Sequence, residues 1–137
     1  FMFLLFIPFL HFVTESGGFD ALVNLVERYI SIGGKAGFAV IVTLIGIFGL
    51  NGAAVAQAMM IDSLFRPFLG DLGVSMELWA MIVLVGHQIT SYAYPGLDMI
   101  GQMGLAHAKD IKPMMKLSYM AIIPGTLLVV IVASFIL

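Results

Sequence analysis

The stretch from Gly86 to Gly104, which reads GHQITSYAYPGLDMIGQMG, interrupts an otherwise apolar pattern. It follows an apolar run, Leu78 to Val85, that is typical of the first half of a membrane helix. Polar side chains then replace the expected Leu and Val. Pro95-Gly96 ends or kinks the helix, because proline removes a backbone donor and glycine lowers helix stability. Freed backbone groups cannot face lipid, so the pattern predicts a broken helix that is buried in protein or lines a water-filled cavity.

The composition is that of an all-α integral membrane protein. Of 137 residues, 61% are hydrophobic and only 10% are charged, and the mean hydropathy is +1.10. Soluble domains carry about 25% charged residues. The absence of cysteine excludes a disulfide framework and a thiolate metal site. A net charge of −2 is too small to indicate nucleic acid as a partner, so the expected surroundings are the lipid bilayer.

The first thirteen residues, FMFLLFIPFLHFV, form an apolar stretch that fits the second half of a membrane span. No charged segment precedes it and no small-residue cleavage site follows it, which argues against a signal peptide. We therefore expect residues 1–137 to be a single transmembrane region, the C-terminal fragment of a longer transporter, with the rest of that chain as its partner. A small subunit of a larger membrane complex is the alternative.

About four hydrophobic segments with discontinuous, broken or re-entrant helices are predicted along the chain. Residues 19–32 have amphipathic helical spacing and fit an interfacial helix or one arm of a re-entrant hairpin. Residues 36–61 are long enough to cross the membrane, since a span needs about 20 residues. A turn-rich connection, 62–77, leads to the third span, and residues 117–137 form the last one.

Small and polar residues gather past the middle of segment 36–61, around Asn51, Gly52 and Gln57. Small residues allow close helix packing in membranes, which is the purely structural interpretation. The functional interpretation is a second break at Asn51-Gly52 that faces the break at Pro95-Gly96. The sequence leaves both open, and it does not separate a re-entrant hairpin from an interrupted span for residues 86–104.

Basic residues give the orientation in the membrane. Lys109, Lys112 and Lys116 place the loop before the last span in the cytoplasm, because cytoplasmic loops are rich in Lys and Arg. Alternation then puts the connection 62–77, with one Arg and three acidic residues, outside. Residues 14–35, with one Arg and one Lys besides their acids, fall inside. We expect a multi-pass protein of a bacterial inner membrane with its C-terminus outside.

Polar side chains near the two interruptions are candidates for binding a solute or an ion, since such groups are costly inside a membrane. His87 is a candidate proton carrier or carboxylate ligand; alternatively, it packs between helices on a backbone carbonyl. Asp98 either caps the restarted helix or binds a cation. The predicted substrate- or ion-binding residues are Asn51, Gly52, Gln57, His87, Gln88, Thr90, Ser91, Tyr94 and Asp98.

The chemistry of these residues indicates binding and not catalysis. Free N–H groups at the start of the restarted helix favour an anion, while unwound carbonyl oxygens suit Na⁺. The sequence contains no HExxH, GxSxG, Walker loop or metal-ligand spacing. We therefore predict no enzyme activity, no metal site and no cofactor, with Na⁺ or H⁺ as a possible coupling ion.

The pattern of segments resembles the C-terminal part of the ion transporter superfamily of bacterial secondary carriers, the gluconate symporter-like and lactate permease-like families. The resemblance covers residues 34–137 and is one of pattern. It rests on NGAAVAQ (51–57), GHQITSYAYPG (86–96) and HAKDIKPMMKLSYMAIIPGTLL (107–128). It implies an elevator-type or related alternating-access carrier for an organic anion, coupled to H⁺ or Na⁺ and often dimeric.

Two functions follow from these observations. The first is a secondary active transporter, a symporter that moves a small organic anion by alternating access and forms a homodimer. The second is a non-transporting membrane subunit that scaffolds or anchors a larger complex. In the second case Gly52, Pro95 and Gly96 serve helix packing alone.

Overall fold

A computed structural model describes residues 8, 11–12, 15–49 and 54–137. The regular structure of these residues is helical throughout, so the all-α prediction is confirmed for them. The helices are α1 (Gly18–Ile47), α2 (Ala54–Phe65), α3 (Met76–Ala93), α4 (Leu97–Leu105), α5 (Lys112–Leu117) and α6 (Ile123–Ile136). A 3₁₀ turn, Arg66–Phe68, follows α2, and a π-helical turn, Ser118–Ile122, joins α5 to α6.

Helix α1 is kinked at Gly34. This residue has φ 53° and ψ −144° inside an otherwise helical segment. Glycine adopts such a conformation without steric cost because it has no Cβ. The kink separates the predicted amphipathic segment, 19–32, from the apolar second part of α1.

Helix α2 folds back along the second part of α1. The rings of Phe38 and Phe65 meet edge to face, with centroids 6.1 Å apart, while Gln57 Nε2 donates to the Gly46 carbonyl oxygen at 2.6 Å. Early residues of one helix thus pair with late residues of the other. The two helices are antiparallel and are termed the α1–α2 hairpin.

Residues 36–61, which the sequence shows to be long enough for one crossing, therefore do not form one straight helix. Each arm of the hairpin buries its apolar side against the other arm and against α3, which a single straight helix cannot do. Glycine lowers helix stability, and Gly46 and Gly49 stand at the end of α1. The predicted break at Asn51-Gly52 lies outside the described residues.

Helix α3 runs beside the second part of α1 in the same direction and completes the core. Ser75 caps its start by accepting the Leu78 N–H at 3.2 Å. Trp79 stacks on Phe38 with ring centroids 6.1 Å apart. The buried core consists of Phe38, Ala39, Val42, Ile61, Phe65, Leu69, Val74, Leu78, Trp79, Ile82 and Val130.

Helices α1 and α3 touch backbone to backbone at Gly46 and Gly86. A Cβ atom on Gly46 would lie 2.9 Å from the Gly86 Cα atom, closer than side chains approach main-chain atoms in real proteins. Small residues at a helix crossing permit this close approach and the hydrogen bonds that accompany it. The contact brings α3 near enough for the Thr90 hydroxyl to reach the Gly46 carbonyl oxygen at 2.7 Å.

Residues Lys112–Ile136 form one helix of 25 residues, within which an 18-residue stretch has a mean hydropathy of 2.3. Within the described part of the chain, no other helix is long and apolar enough to cross a membrane. This helix is antiparallel to α1 and α3, because Ile123 packs near their C-terminal ends and Val130 joins the core around Phe38. Its outer face leaves large apolar side chains exposed, among them Leu128, Val129, Phe135 and Ile136.

The long helix begins before the span predicted at 117–137. Pro113 stands in its first turn, where a missing N–H is harmless, and Asp110 Oδ1 accepts the Lys112 N–H at 3.0 Å. Its π-helical turn contains Tyr119, whose hydroxyl donates to the Ala93 carbonyl oxygen at 2.7 Å. The last helix is thereby joined to the end of α3.

Asp62, in the segment that the sequence places outside the membrane, links α2 to α3. Its carboxylate accepts hydrogen bonds from Arg66 Nε at 3.0 Å and from Trp79 Nε1 at 2.7 Å. The hydrogen bond from the Arg66 guanidinium, together with that from Trp79, lowers the pKa of the Asp62 carboxyl below its ordinary value.

We expect Asp62→Asn to lower the free energy of unfolding by about 1 kcal/mol, because charge-assisted hydrogen bonds are lost. Since the pKa is lower in the folded state, the contribution is present above the ordinary value of 3.8 and is lost as the pH falls through the folded pKa. Thermal unfolding over an acid pH series measures it. Asp71→Asn, an exposed acid of the same connection, is the control; equal pH profiles for the two variants would refute this role of Asp62.

Candidate functional site

The ends of three helices meet at one place in the structure. The Gly46 carbonyl oxygen accepts hydrogen bonds from Gln57 Nε2 at 2.6 Å and from Thr90 Oγ1 at 2.7 Å. The Tyr94 hydroxyl donates to the Phe48 carbonyl oxygen at 2.9 Å. These five residues, Gly46, Phe48, Gln57, Thr90 and Tyr94, are termed the helix-end cluster.

The cluster forms because the last carbonyl groups of a helix have no partner within the helix. Since α1 ends at Ile47, the oxygens of Gly46 and Phe48 take donors from other helices. The end of α3 has the same need, because this helix ends at Ala93, and the Tyr119 hydroxyl donates to the Ala93 carbonyl oxygen. Side-chain donors thus hold the ends of α1 and α3 in place.

Gln57 brings an unpaired acceptor into the helix-end cluster. Its side chain is 2% exposed, and its Oε1 atom has no hydrogen-bond partner among the described residues. Turning the amide over would set Oε1 against the Gly46 oxygen, acceptor against acceptor, so the Gly46 bond fixes its orientation. Gly49 leaves room for this amide, since a Cβ there would overlap it.

A buried acceptor without a partner costs about 1–3 kcal/mol. Gln57 Oε1 therefore marks a position that a hydrogen-bond donor or a cation would stabilise. The nearby C-terminal end of α1 carries the negative end of the helix dipole, which also favours positive charge.

A polar groove of about 450 Å³ lies between the end of α3 and α4 and is termed the α3–α4 groove. Across it, Ser91 Oγ donates to Asp98 Oδ2 at 3.2 Å. Its volume falls within the range of small-molecule sites. The residues that line it are Gln88, Ser91, Tyr92, Leu97, Asp98, Met99, Gly101, Gln102 and Leu105.

Asp98 lies in the first turn of α4, and Gly96, the residue before this helix, provides no side-chain cap. A carboxylate there stabilises the helix through the dipole. The same carboxylate faces the α3–α4 groove. Its position is therefore compatible with both interpretations of this residue, as a stabiliser of the helix start and as a ligand.

Comparison with protein families, with curated proteins and with solved structures gave no match. The resemblance to the ion transporter superfamily therefore stays a prediction. The function is argued below from the residues and their geometry.

His87 lies on another face of α3. It lines an apolar groove of about 440 Å³ between α2 and α3, which also contains Met59, Val83 and Leu84. Its Nδ1 atom is buried and unpaired within the described part of the chain. The structure thus places His87 and Asp98, which the sequence predicted around one substrate, in different grooves.

The other predicted site residues fall into two groups. Gln57, Thr90 and Tyr94 belong to the helix-end cluster, while Gln88, Ser91 and Asp98 line the α3–α4 groove. Asn51 and Gly52 lie outside the described residues.

Sequence reasoning missed three features of the site. The carbonyl oxygens of Gly46 and Phe48 are main-chain groups, so the sequence does not mark them as ligands. The hydrogen bond from Tyr119 to Ala93 joins residues far apart in the chain, so the sequence does not show it either. Tyr92 and Gln102 also line the α3–α4 groove; the sequence marks both as polar residues around the Pro95 break, but they are outside the predicted set of binding residues.

Proposed function

We propose that the chain is part of a secondary active transporter that moves a small polar solute across a membrane by alternating access, coupled to H⁺ or Na⁺. The helix-end cluster carries this proposal, because a buried Gln57 oxygen with no partner among the described residues lies where three helices end or begin. Transporters build their midplane sites from discontinuous helices whose ends supply carbonyl oxygens and N–H groups. The family resemblance supports the same class and implies an organic anion as solute.

The lengths of the helices support a membrane setting. The 25-residue helix Lys112–Ile136 is about 37 Å long, enough to cross a hydrocarbon core of about 30 Å. Helix α2, with 12 residues, measures only about 18 Å. We therefore infer that the α1–α2 hairpin is re-entrant, and that α3 and α4 are the two parts of an interrupted span. A re-entrant hairpin has both ends on one side of the membrane, so this inference moves Lys35 to the outer side with Asp62, whereas the charge pattern alone predicts residues 14–35 inside. The bacterial inner membrane, with the C-terminus outside, remains the proposed location.

In the proposed mechanism with Na⁺ as the coupling ion, Na⁺ binds at Gln57 Oε1 and the negative end of α1, while the solute occupies the α3–α4 groove. The cation supplies a partner that this oxygen does not find among the described residues, and it strengthens the contact between the α1–α2 hairpin and α3. A ligand shifts an equilibrium between conformations only as far as its affinities for them differ. Coupling follows if the cation and the solute, bound together, favour the conformational change that exposes the binding site to the opposite side of the membrane.

One observation favours the alternative, a membrane subunit that anchors a complex. The carbonyl oxygens of Gly46, Phe48 and Ala93 already have protein donors, as purely structural contacts do. A scaffold would not require a solute at the helix-end cluster. The Gln57 Oε1 atom would then accept a hydrogen bond from another part of the complex.

Uptake into proteoliposomes that contain the full-length protein tests the proposal. The panel consists of small carboxylates, sugar acids, polyols and organic cations, each with and without Na⁺ and pH gradients. We expect uptake of one solute class, and its collapse when one particular gradient is removed. If folded protein transports nothing on the panel, the transport function is wrong and the scaffold takes its place.

A further inference from the structure

We propose that the α3–α4 groove binds a small organic ammonium ion, with its positive charge held between the Asp98 carboxylate and the Tyr92 ring. This inference rests on the proposed transport function and names the class of its solute. It differs from the organic anion that the family resemblance implies.

The charge of the groove is the first argument. Asp98 is the one acidic residue among the nine that line it, and none of the nine is Lys, Arg or His. The partial positive charge at the start of α4 is already compensated, because Asp98 stands in its first turn. An anion in this groove would face a carboxylate with no basic residue in the lining to offset the repulsion.

The hydrogen-bonding groups are the second argument. Each carboxylate oxygen accepts two hydrogen bonds, so Asp98 keeps accepting positions after it has bound the Ser91 hydroxyl at 3.2 Å. The amide oxygens of Gln88 and Gln102 line the same groove and are further acceptors. An ammonium group is a donor of up to three hydrogen bonds and matches such a set.

The aromatic and apolar lining is the third argument. Tyr92 lines the groove together with Asp98, and a cation over a tyrosine ring is attracted by its negative face. Leu97 and Leu105, exposed at 88% and 86%, form an apolar rim suited to a short alkyl chain. This combination of groups favours an amine. A polyol would make no use of the carboxylate charge, and a bare metal ion would make no use of the tyrosine ring or the apolar rim.

Isothermal titration calorimetry on the full-length protein tests the inference, with ethanolamine, lactate and glycerol as probes. We expect ethanolamine to bind, with no binding of lactate or glycerol at the same concentration. Asp98→Asn should weaken ethanolamine binding about 10- to 100-fold, as loss of a hydrogen-bonded charge does. Asp98→Glu should restore part of the affinity. Asp71→Asn, an acid outside the groove, should bind as the parent protein does.

The aromatic contribution has its own pair of variants. Tyr92→Leu should weaken ethanolamine binding about 2- to 5-fold, the usual value of an exposed cation–π contact. Tyr92→Phe, which keeps the ring, should lose less. Thermal unfolding of each variant separates a binding defect from a folding defect.

The outcomes distinguish this inference from the transport function. Lactate binding that survives Asp98→Asn overturns the ammonium site, and gradient-driven lactate uptake would still support a transporter. Ethanolamine binding that Asp98→Asn does not weaken also overturns it. Ethanolamine binding that depends on Asp98, without uptake in proteoliposomes, supports the site and refutes transport. Folded protein that neither binds a probe nor transports the solute panel refutes both.

Discussion

Gly46→Ala is expected to push α1 away from α3 and to lower the free energy of unfolding by about 1–3 kcal/mol, the usual cost of overpacking a core. The new Cβ would meet the Gly86 Cα atom at 2.9 Å. A backbone atom cannot rotate out of the way, so the helices themselves must separate. Separation also lengthens the hydrogen bond from Thr90 to the Gly46 carbonyl oxygen, which is 2.7 Å in the structure.

Thermal unfolding of the purified protein in detergent measures this effect. Gly125→Ala is the matched control, because Gly125 is also helical and nothing lies within 4 Å of a Cβ built there. Alanine at that position should be neutral or slightly stabilising, since it is the better helix former. Equal melting temperatures for Gly46→Ala and Gly125→Ala would contradict the close contact of α1 with α3.

Gln57→Met is expected to reduce gradient-driven uptake at least about tenfold while changing the free energy of unfolding by less than about 1 kcal/mol. Methionine has nearly the same length and is apolar. The variant loses the hydrogen bond to Gly46, but it also removes the buried Oε1 atom that finds no partner in the described part of the chain. These two effects on stability oppose each other, whereas the loss of a cation ligand is not compensated.

Ser63→Ala is the control for Gln57→Met, because Ser63 lies on the same helix and its exposed hydroxyl bonds only locally, to Met60 at 3.0 Å. Its uptake should match that of the parent protein. Uptake is compared per amount of folded protein, so that a loss of protein does not count as a loss of transport. Full uptake by Gln57→Met would remove Gln57 from the mechanism.

The sequence was sufficient for features that are decided locally. Proline and glycine act on their own turn of helix, so the end of a helix near Pro95-Gly96 was predictable, and α3 ends at Ala93 before α4 begins at Leu97. The Asp98 position in the first turn of α4 follows from the same break.

The return of α2 along α1 was not predictable in this way. The apolar length of residues 36–61 suits one straight crossing as well as two antiparallel arms. The choice depends on contacts between distant residues, such as Phe38 with Phe65, which hydropathy does not encode.

For a similar reason, the sequence predicts only part of the set of residues that line each groove. His87 and Gln88 are neighbours in the chain, but successive residues of a helix point about 100° apart. They consequently line different grooves. Which groove a polar residue faces depends on the helix packed against it, and single-chain periodicity does not contain that information.

The fluorescence of Trp79 depends on the packing of three helices. From α3, this residue stacks on Phe38 of α1 and donates a hydrogen bond to Asp62 of α2. Trp79 is 3% exposed, so its fluorescence emission should lie at the short wavelengths typical of an apolar environment. Because Trp79 is the single tryptophan of residues 1–137, a motion that parts the hairpin from α3 in this region would shift its emission to longer wavelength.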